Sequence, residues 1–544
     1  MPQTQSSAHL AQVSVVVIGY DDAAHVGDAV RSALAQGTAV REVIAVDDCS
    51  ADGSAEVLDG LAAGDARVKV VRRKTNSGGC GTPRNDGIDA ATAPYVMFLD
   101  SDDVLPPGAV DALLGAATAD VDVAAGLCVR RELPSGRETP WQPELYAGPA
   151  VVARASARPR LVHDTLCVNK LYRTGFLREH GIRFPEGRFP YEDFVFTARV
   201  LAAGPRLALV PDRVYVWHVR RRAERLSISL DRAGINNWVA RTEAARLAYD
   251  ILVAAGEKTL ARAARGKFLD HELRMYVREL GQRTPEYREA WWRIARAHLE
   301  AFRTADLASA AAPGRVIAHV LLATPEPRDL PRLAELAARP ARLRPPYARS
   351  PGRTPSDMGA PVWSPDLPHV RLDHLLHRPI PHLPLAVDAE LRPRARTTLL
   401  RLRLHELYGR VAQAGPTAVE VEFVCREDGQ PGFTGTALFA EDPEFDTWTA
   451  ELALDLAVLG GRGAGTWDVR LRLRFRDGTS RDTTPHATAG PGLLSRTALP
   501  SARHGLLLVQ PYATHSGALA LRVAPGVRGV TSVVGRRVRR LLHW

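Results

Sequence analysis

Cysteine is scarce. Five residues (Cys49, Cys80, Cys128, Cys167 and Cys425) are scattered over 544 positions with no Cys-x-x-Cys pair. That argues against a disulfide framework and a cysteine-built zinc site, and points to a reducing compartment. Long apolar runs are also missing. No stretch approaches the roughly 20 residues needed to span a bilayer, and the opening MPQTQSSAHLAQ holds neither a basic n-region nor an apolar h-region. A soluble, unprocessed, cytoplasmic chain is the expectation. No internal repeat is evident. Acid is in deficit: 61 Asp and Glu face 71 Lys and Arg, a net charge of +10, mostly from arginine. Such a balance favours phosphates, nucleic acid or an acidic membrane face without choosing among them.

What the chain does have is enough apolar residues, 45%, to fill several cores, and a length that suits about two to four domains. From residue 13, short apolar runs (VSVVVIG, EVIAV, VKVV, YVMFL) alternate with amphipathic stretches at 25–35, 53–63 and 83–91. Strands apolar on both faces and separated by helices imply an α/β fold with a mostly parallel sheet, whose ligands bind beyond the carboxyl ends of the strands. The polar sets at those ends are Gly19-Tyr20-Asp21-Asp22, Asp47-Asp48-Cys49-Ser50 and Asp100-Ser101-Asp102-Asp103.

Further along, residues 231–340 carry apolar residues at helical spacing, and 341–366 concentrate proline with Arg, Ser and Gly, as an extended linker does. Strict alternation in LLRLRLHEL, VEVEF, WTAELAL and WDVRLRLRF then signals an antiparallel β-sandwich. The expected division is a disordered 1–11, a catalytic domain at 12–230, helices at 231–340, the linker, a sandwich at 367–487 and a small second β unit with a basic tail at 488–544.

The run APYVMFLDSDDVLPP drives a buried strand into three carboxylates, which repel unless something compensates them. Capping of a helix begun by Pro106 and Pro107 accounts for Asp103 alone. Hard carboxylates suit Mg²⁺ or Mn²⁺, which take their remaining ligands from phosphate and water.

VSVVVIGYDD, EVIAVDDCSADGS, NSGGCGTPRNDGI, YVMFLDSDD and YEDFVF, in this order and at these intervals, resemble the family 2 glycosyltransferases of the GT-A fold over roughly residues 12–230. The resemblance implies inverting transfer of a sugar from a nucleoside diphosphate, usually UDP, to a hydroxyl, with Mn²⁺ or Mg²⁺ as cofactor. It implies that Tyr20 stacks on the base, Asp48 accepts from the base edge, Arg84 recognises the donor, Asp100 faces the ribose and Asp102 ligates the metal. It makes Asp193 the general base, supported by Glu192. His218 completes the metal shell or touches the diphosphate, and Arg220 to Arg222 cover the phosphates or form a solvated face. Asp21 stands where the family usually has Asn, and Cys49 where it usually has Gly.

The layout also resembles cell-wall polymer glycosyltransferases, whose β modules oligomerise or hold polymer. The implied partners are a nucleotide-sugar donor and a polymeric or lipid-linked acceptor, with no nucleic acid. The tail GVRGVTSVVGRRVRRLLHW suits either peripheral attachment to the inner face of an anionic membrane or docking on the sandwich. A nucleotidyltransferase is disfavoured by the absence of a glycine-rich triphosphate loop after the first strand. A non-catalytic binding protein is disfavoured because Asp48, Arg84, Asp100, Asp102 and Asp193 are all present.

Overall fold

The computed structural model describes residues 12–220, 232–351, 359–393, 398–488, 493, 497–501 and 505–526. The chain divides into two compact units, Met1–Phe268 with Ala301–Ser309, and Leu269–Glu300 with Ala310–Trp544.

The first unit opens with β1 (Val13–Gly19), α1 (Val26–Leu34), β2 (Val40–Asp47), α2 (Ser54–Gly64), β3 (Val68–Arg72), α3 (Gly81–Ala90), β4 (Tyr95–Asp100) and α4 (Ala109–Ala116). These are the strands and helices that the apolar runs imply. Val13, Val15, Val16 and Val17 are buried on both faces of β1, each contributing about 1.5–3 kcal/mol. α1 turns Val26, Ala29, Val30 and Ala33 inward, one stripe at helical spacing. There follow β5 (Val123–Leu133), β6 (Arg137–Pro140), β7 (Ala150–Val152), β8 (Lys170–Arg173), α5 (Thr174–Glu179), α6 (Glu192–Ala202), β9 (Leu207–Arg220), α7 (Ile235–Ala254) and α8 (Lys258–Lys267).

The sheet runs β3-β2-β1-β4-β8-β5-β9-β7, with β6 on β5. β3, β2, β1 and β4 are parallel, as are β5 and β9, while β8 is antiparallel to both its neighbours. Strand order reverses beside β1, which opens a crevice at the carboxyl ends there. Register sets Gly19 beside Asp47 and Ile18 beside Asp100, so the three polar sets share one rim.

The helical segment is not one domain. α7, α8 and α11 (Thr304–Ser309) belong to the first unit, whereas α9 (Arg274–Leu280), α10 (Pro285–Glu300), α12 (Ala312–Ala323) and α13 (Leu330–Ala337) belong to the second. No helix among the described residues is long and apolar enough to cross a membrane.

The proline-rich stretch is anchored at both ends rather than extended as a connector. Arg342 is wholly buried and donates to Thr484 O at 3.1 Å, and Trp363 is wholly buried under the Arg332 guanidinium. Between them β10 (Ala348–Arg349) pairs with β11 (Pro361–Val362). Composition suggested a linker because it counts the prolines and not the two side chains that fix the ends.

The C-terminal strands form two sheets. One contains β12 (Val387–Pro393), β13 (Thr398–His405), β16 (Ala440–Asp442), β17 (Thr447–Leu454) and β20 (His486–Ala487). The other contains β14 (Pro416–Cys425), β15 (Pro431–Leu438), β18 (Gly465–Phe475), β19 (Ser480–Thr483), β21 (Thr497–Ser501), β22 (Gly505–Ala513) and β23 (Leu519–Pro525). Leu400, Leu402 and Leu404 of β13 are buried between half-exposed Arg401 and Arg403, the alternation read from the sequence. The separate small β unit is not formed. β18 is long enough to pair β23 with Gly465–Asp468 and β19 with Leu471–Arg474, so the last strands extend its sheet. Arg221, Arg222 and the basic tail after Gly526 lie outside the described residues.

Candidate active site

Tyr20 closes β1 with 38% of its surface exposed, open enough to stack on a flat ligand. Asp21 and Cys49 hold left-handed φ angles of 50° and 66°. Asn and Gly adopt that conformation most readily, which is a physical reason for the residues usual at these positions. The loops after β1 and β2 are laced together. Asp21 N–H donates to Ser50 Oγ at 2.9 Å, Ala51 N–H to Asp21 Oδ1 at 2.8 Å, and Ala23 N–H to Asp52 Oδ2 at 2.8 Å.

Asp48 is 3% exposed and faces inward. Ser77 N–H donates to Oδ1 at 3.0 Å, Ser77 Oγ to Oδ2 at 2.7 Å, Asn76 Nδ2 to Oδ2 at 3.1 Å, and Arg73 Nε lies 3.0 Å from Oδ1. Burial pushes its carboxyl up, against these bonds. The carboxylate expected at the base edge therefore pins the loop after β3. Its neighbour Asp47, 4% exposed, keeps Oδ1 buried and without a hydrogen-bond partner among the described residues. The sequence treats the two acids alike; only the packing of the loop separates them.

The turn after β4 is clipped to β9. Asp103 is buried, with Oδ2 accepting Tyr215 Oη–H at 2.7 Å and Oδ1 accepting His218 N–H at 2.7 Å. Tyr215 Oη also accepts Asp100 N–H at 3.2 Å, and Val104 bridges Val216. Asp103 is thus no helix cap: α4 starts six residues later, behind Gly108. Burial, then the charges of Asp102 and Asp100, push the Asp103 carboxyl well up. Tyr215 was not singled out from the sequence, where alternation in VYVWHVR marks only its burial.

Asp102 stays at the surface of this turn, its side chain 42% exposed, with Arg220 Nη1 3.2 Å from Oδ2. Desolvation on its inner side, then Asp100, push its carboxyl up to about 6. His218 Nδ1 lies 3.0 Å from the Asp102 carbonyl oxygen, and burial lowers the pKa of the ring, favouring neutral imidazole. Donation from Nδ1 leaves Nε2 as the lone-pair nitrogen. A crowded carboxylate beside an oriented neutral histidine suits a divalent cation that keeps most of its shell for water and phosphate. The described residues contain no cluster of three or more His, Cys, Asp or Glu that would hold an ion unaided.

Glu192 and Asp193 occupy the first turn of α6, behind Tyr191 at φ 64°. Neither caps the helix. Both meet Arg84, whose Nη1 lies 2.5 Å from Glu192 Oε1 and 3.1 Å from Asp193 Oδ1, while Nη2 lies 2.7 Å from Asp100 Oδ1. Arg84 is 2% exposed, so the residue expected to touch the donor has both Nη atoms engaged inside the protein. Asp193 is the more open acid, its side chain 22% exposed against 10% for Glu192. Burial and the charge of Asp193 push Glu192 up to about 7.

The glycosyl transferase family 2 profile matches residues 14–181. The poly(ribitol-phosphate) beta-N-acetylglucosaminyltransferase TarS of Staphylococcus aureus is 30% identical over 221 residues, 40% of this chain but only 37% of TarS. The succinoglycan biosynthesis protein ExoO of Rhizobium meliloti is 31% identical over 242 residues, 43% of this chain and 67% of ExoO. The crystal structure of S. aureus TarS superposes with a TM-score of 0.52 at 18% identity, covering 94% of this chain and 85% of that one, which shows a shared fold. With ExoO matched over two thirds of its length and the profile lying across β1 to β8, the chain belongs to glycosyl transferase family 2.

Proposed function

We propose that the chain is an inverting, metal-dependent glycosyltransferase that moves a hexosyl or N-acetylhexosaminyl group from UDP to a hydroxyl of an anionic cell-wall polymer of the polyol-phosphate class. The observation that carries the reading is the position of Asp100. It lies two residues from Asp102 and is joined through Arg84 to Asp193, so a donor-side carboxylate and a candidate base share one cation. Tyr20 offers the stacking face and Asp48 the acceptor at the base edge. Asp100 faces the ribose. Asp102 and His218 would hold Mn²⁺ or Mg²⁺, which supplies positive charge to a diphosphate leaving group. Arg220 adds a second cation beside Asp102.

Asp193 takes the acceptor proton as the hydroxyl attacks the anomeric carbon. The name of TarS describes a β product on poly(ribitol phosphate), and a β product from an α-linked sugar nucleotide requires inversion. A chain of net charge +10 suits such an anionic acceptor. Work on a nascent polymer at the inner membrane face, and self-association through the C-terminal sheets, belong to the same proposal.

The test is thermal protection of the full-length chain by a panel of nucleotide sugars with and without Mn²⁺, followed by transfer to poly(ribitol phosphate). UDP and one UDP-sugar are expected to protect, and more strongly with Mn²⁺, and Asp102→Ala is expected to lose the metal-dependent part. Equal protection by every nucleotide, or wild-type transfer unaffected by chelator, would sink the reading.

A further inference from the structure

The glycine-rich turn before α3 faces the segment that carries Asp193. A Cβ on Gly81 would lie 2.0 Å from the Pro185 carbonyl oxygen, and one on Gly79 2.7 Å from that of Gly187. Glycine is needed there because backbone meets backbone, not because a phosphate must approach. The next residues complete the match. Asn85 Nδ2–H donates to Phe184 O at 3.0 Å and its Oδ1 accepts Phe184 N–H at 2.9 Å, while Thr82 Oγ1 accepts Gly187 N–H at 3.1 Å. Arg84 lies over the Phe184 ring, 5.3 Å from its centre, and reaches the three carboxylates.

We propose that Arg84 is a positioning residue rather than a ligand of the donor: it fastens the Asp193 carboxylate to Asp100, so that one buried cation sets the base and the donor side in a common frame. This rests on the reading of Asp193 as general base.

The groups around Asp193 come from four elements. Arg84 approaches from α3, Asp100 from the end of β4, Cys167 and Lys170 from the entry to β8, and Glu192 from α6 itself. Burial raises the Asp193 carboxyl and Asp100 adds to it, while Arg84, a hydrogen bond from Cys167, and Lys170 oppose. Cys80, Cys167 and Tyr172 are held neutral by burial. Asp193 must be ionised to take a proton, so the acid limb of kcat against pH follows its titration. Removing the charge of Arg84 moves that limb to higher pH. Glu192, pushed up to about 7, is already protonated while Asp193 titrates below it, so replacing it leaves that limb in place.

The experiment measures kcat against pH for the full-length chain, and donor Kd by calorimetry, for Arg84→Gln, Arg84→Lys and Glu192→Gln. Arg84→Gln is expected to lower kcat by about 100-fold and raise the limb by about one unit, with donor Kd within about threefold. Arg84→Lys keeps the charge and is expected to keep the limb, while losing about tenfold in kcat because one ammonium cannot span three carboxylates. Glu192→Gln, nearly isosteric with the protonated acid, is expected to leave the limb in place. An unmoved limb in Arg84→Gln, or a tenfold weaker donor Kd in Arg84→Lys with kcat preserved, would overturn the proposal. If Arg84→Gln does not fold, Arg84→Lys decides. Wild-type transfer in Asp193→Asn would sink the base assignment itself, and so separates that failure from a failure of Arg84.

Discussion

Cys49 carries a side chain where its backbone, at φ 66°, favours none. It is exposed at the mouth of the candidate nucleotide site, where its thiol makes one long contact, 3.7 Å to the Lys74 carbonyl oxygen. Replacing it by Gly removes the clash of Cβ with the following carbonyl, worth about 1–2 kcal/mol, against a gain in unfolded-chain freedom of about 0.4–1 kcal/mol. Cys49→Gly is expected to stabilise by about 0.5–1 kcal/mol in urea unfolding followed by tryptophan fluorescence. A loss would mean that the thiol makes contacts that outweigh the strain. The same scale shows where sequence reading stops. Asp47 and Asp48 are adjacent acids on one strand end, and nothing in VDDCS says that Ser77 and Asn76 will claim the second and leave the first with a bare oxygen. Arg84 is similar: its register within TPRND was legible, but its three partners come from residues 16, 108 and 109 positions away.

Among the elements, the opposite edge of the sheet is held by one acid. Glu42, near the start of β2, is 1% exposed and accepts Ser14 Oγ–H at 2.6 Å, Thr92 N–H at 2.7 Å and Thr92 Oγ1–H at 2.8 Å, with Lys69 Nζ also bonded. It ties β1, β2, β3 and the turn before β4 together. Burial alone would raise its carboxyl, but the bonds from Lys69, Ser14 and Thr92 hold it at about 2 against an ordinary 4.5. A depressed carboxyl stabilises fully above its unfolded pKa and loses that stabilisation as pH falls through the folded one. The first unit should therefore weaken between about pH 4.5 and pH 2, by about 3 kcal/mol from this group. Glu42→Gln is expected to unfold at lower urea at neutral pH, with a shallower loss on acidification; an unchanged slope would deny Glu42 the role. β1 to β4 were legible because both faces are apolar and each run ends in turn residues. β5 and β9 were not, since each begins apolar and ends among arginines, and they find one another across more than 70 residues of chain through pairings such as Val123↔Leu207.

At the scale of the whole molecule, the units interleave: Leu269–Glu300 leaves the first unit and Ala301–Ser309 returns to it. The return is fixed by charge. Arg265, 9% exposed and stacked 3.5 Å over the Tyr249 ring, meets Asp306 Oδ2 at 2.5 Å. A fragment ending at residue 268 strands that arginine without its carboxylate, and an uncompensated buried charge costs about 3–5 kcal/mol. A fragment ending at residue 309 keeps the pair but retains α10, whose Trp291, Trp292, Ala295 and Leu299 are buried by the second unit, with Trp292 Nε1–H donating to Thr324 O at 2.9 Å. Those side chains would then face water. Neither cut should release a stable catalytic unit. The shorter fragment is expected to melt below the full-length chain, and the longer one to bind a hydrophobic dye and aggregate. A chain ending at 309 with the 269–300 excursion replaced by a short Gly/Ser linker keeps Arg265 paired and removes the exposed face, so it is expected to recover a cooperative melt and UDP binding. If the plain 268 fragment already melts and binds UDP like the full-length chain, the Arg265–Asp306 pair is dispensable and the first unit ends where its sheet does.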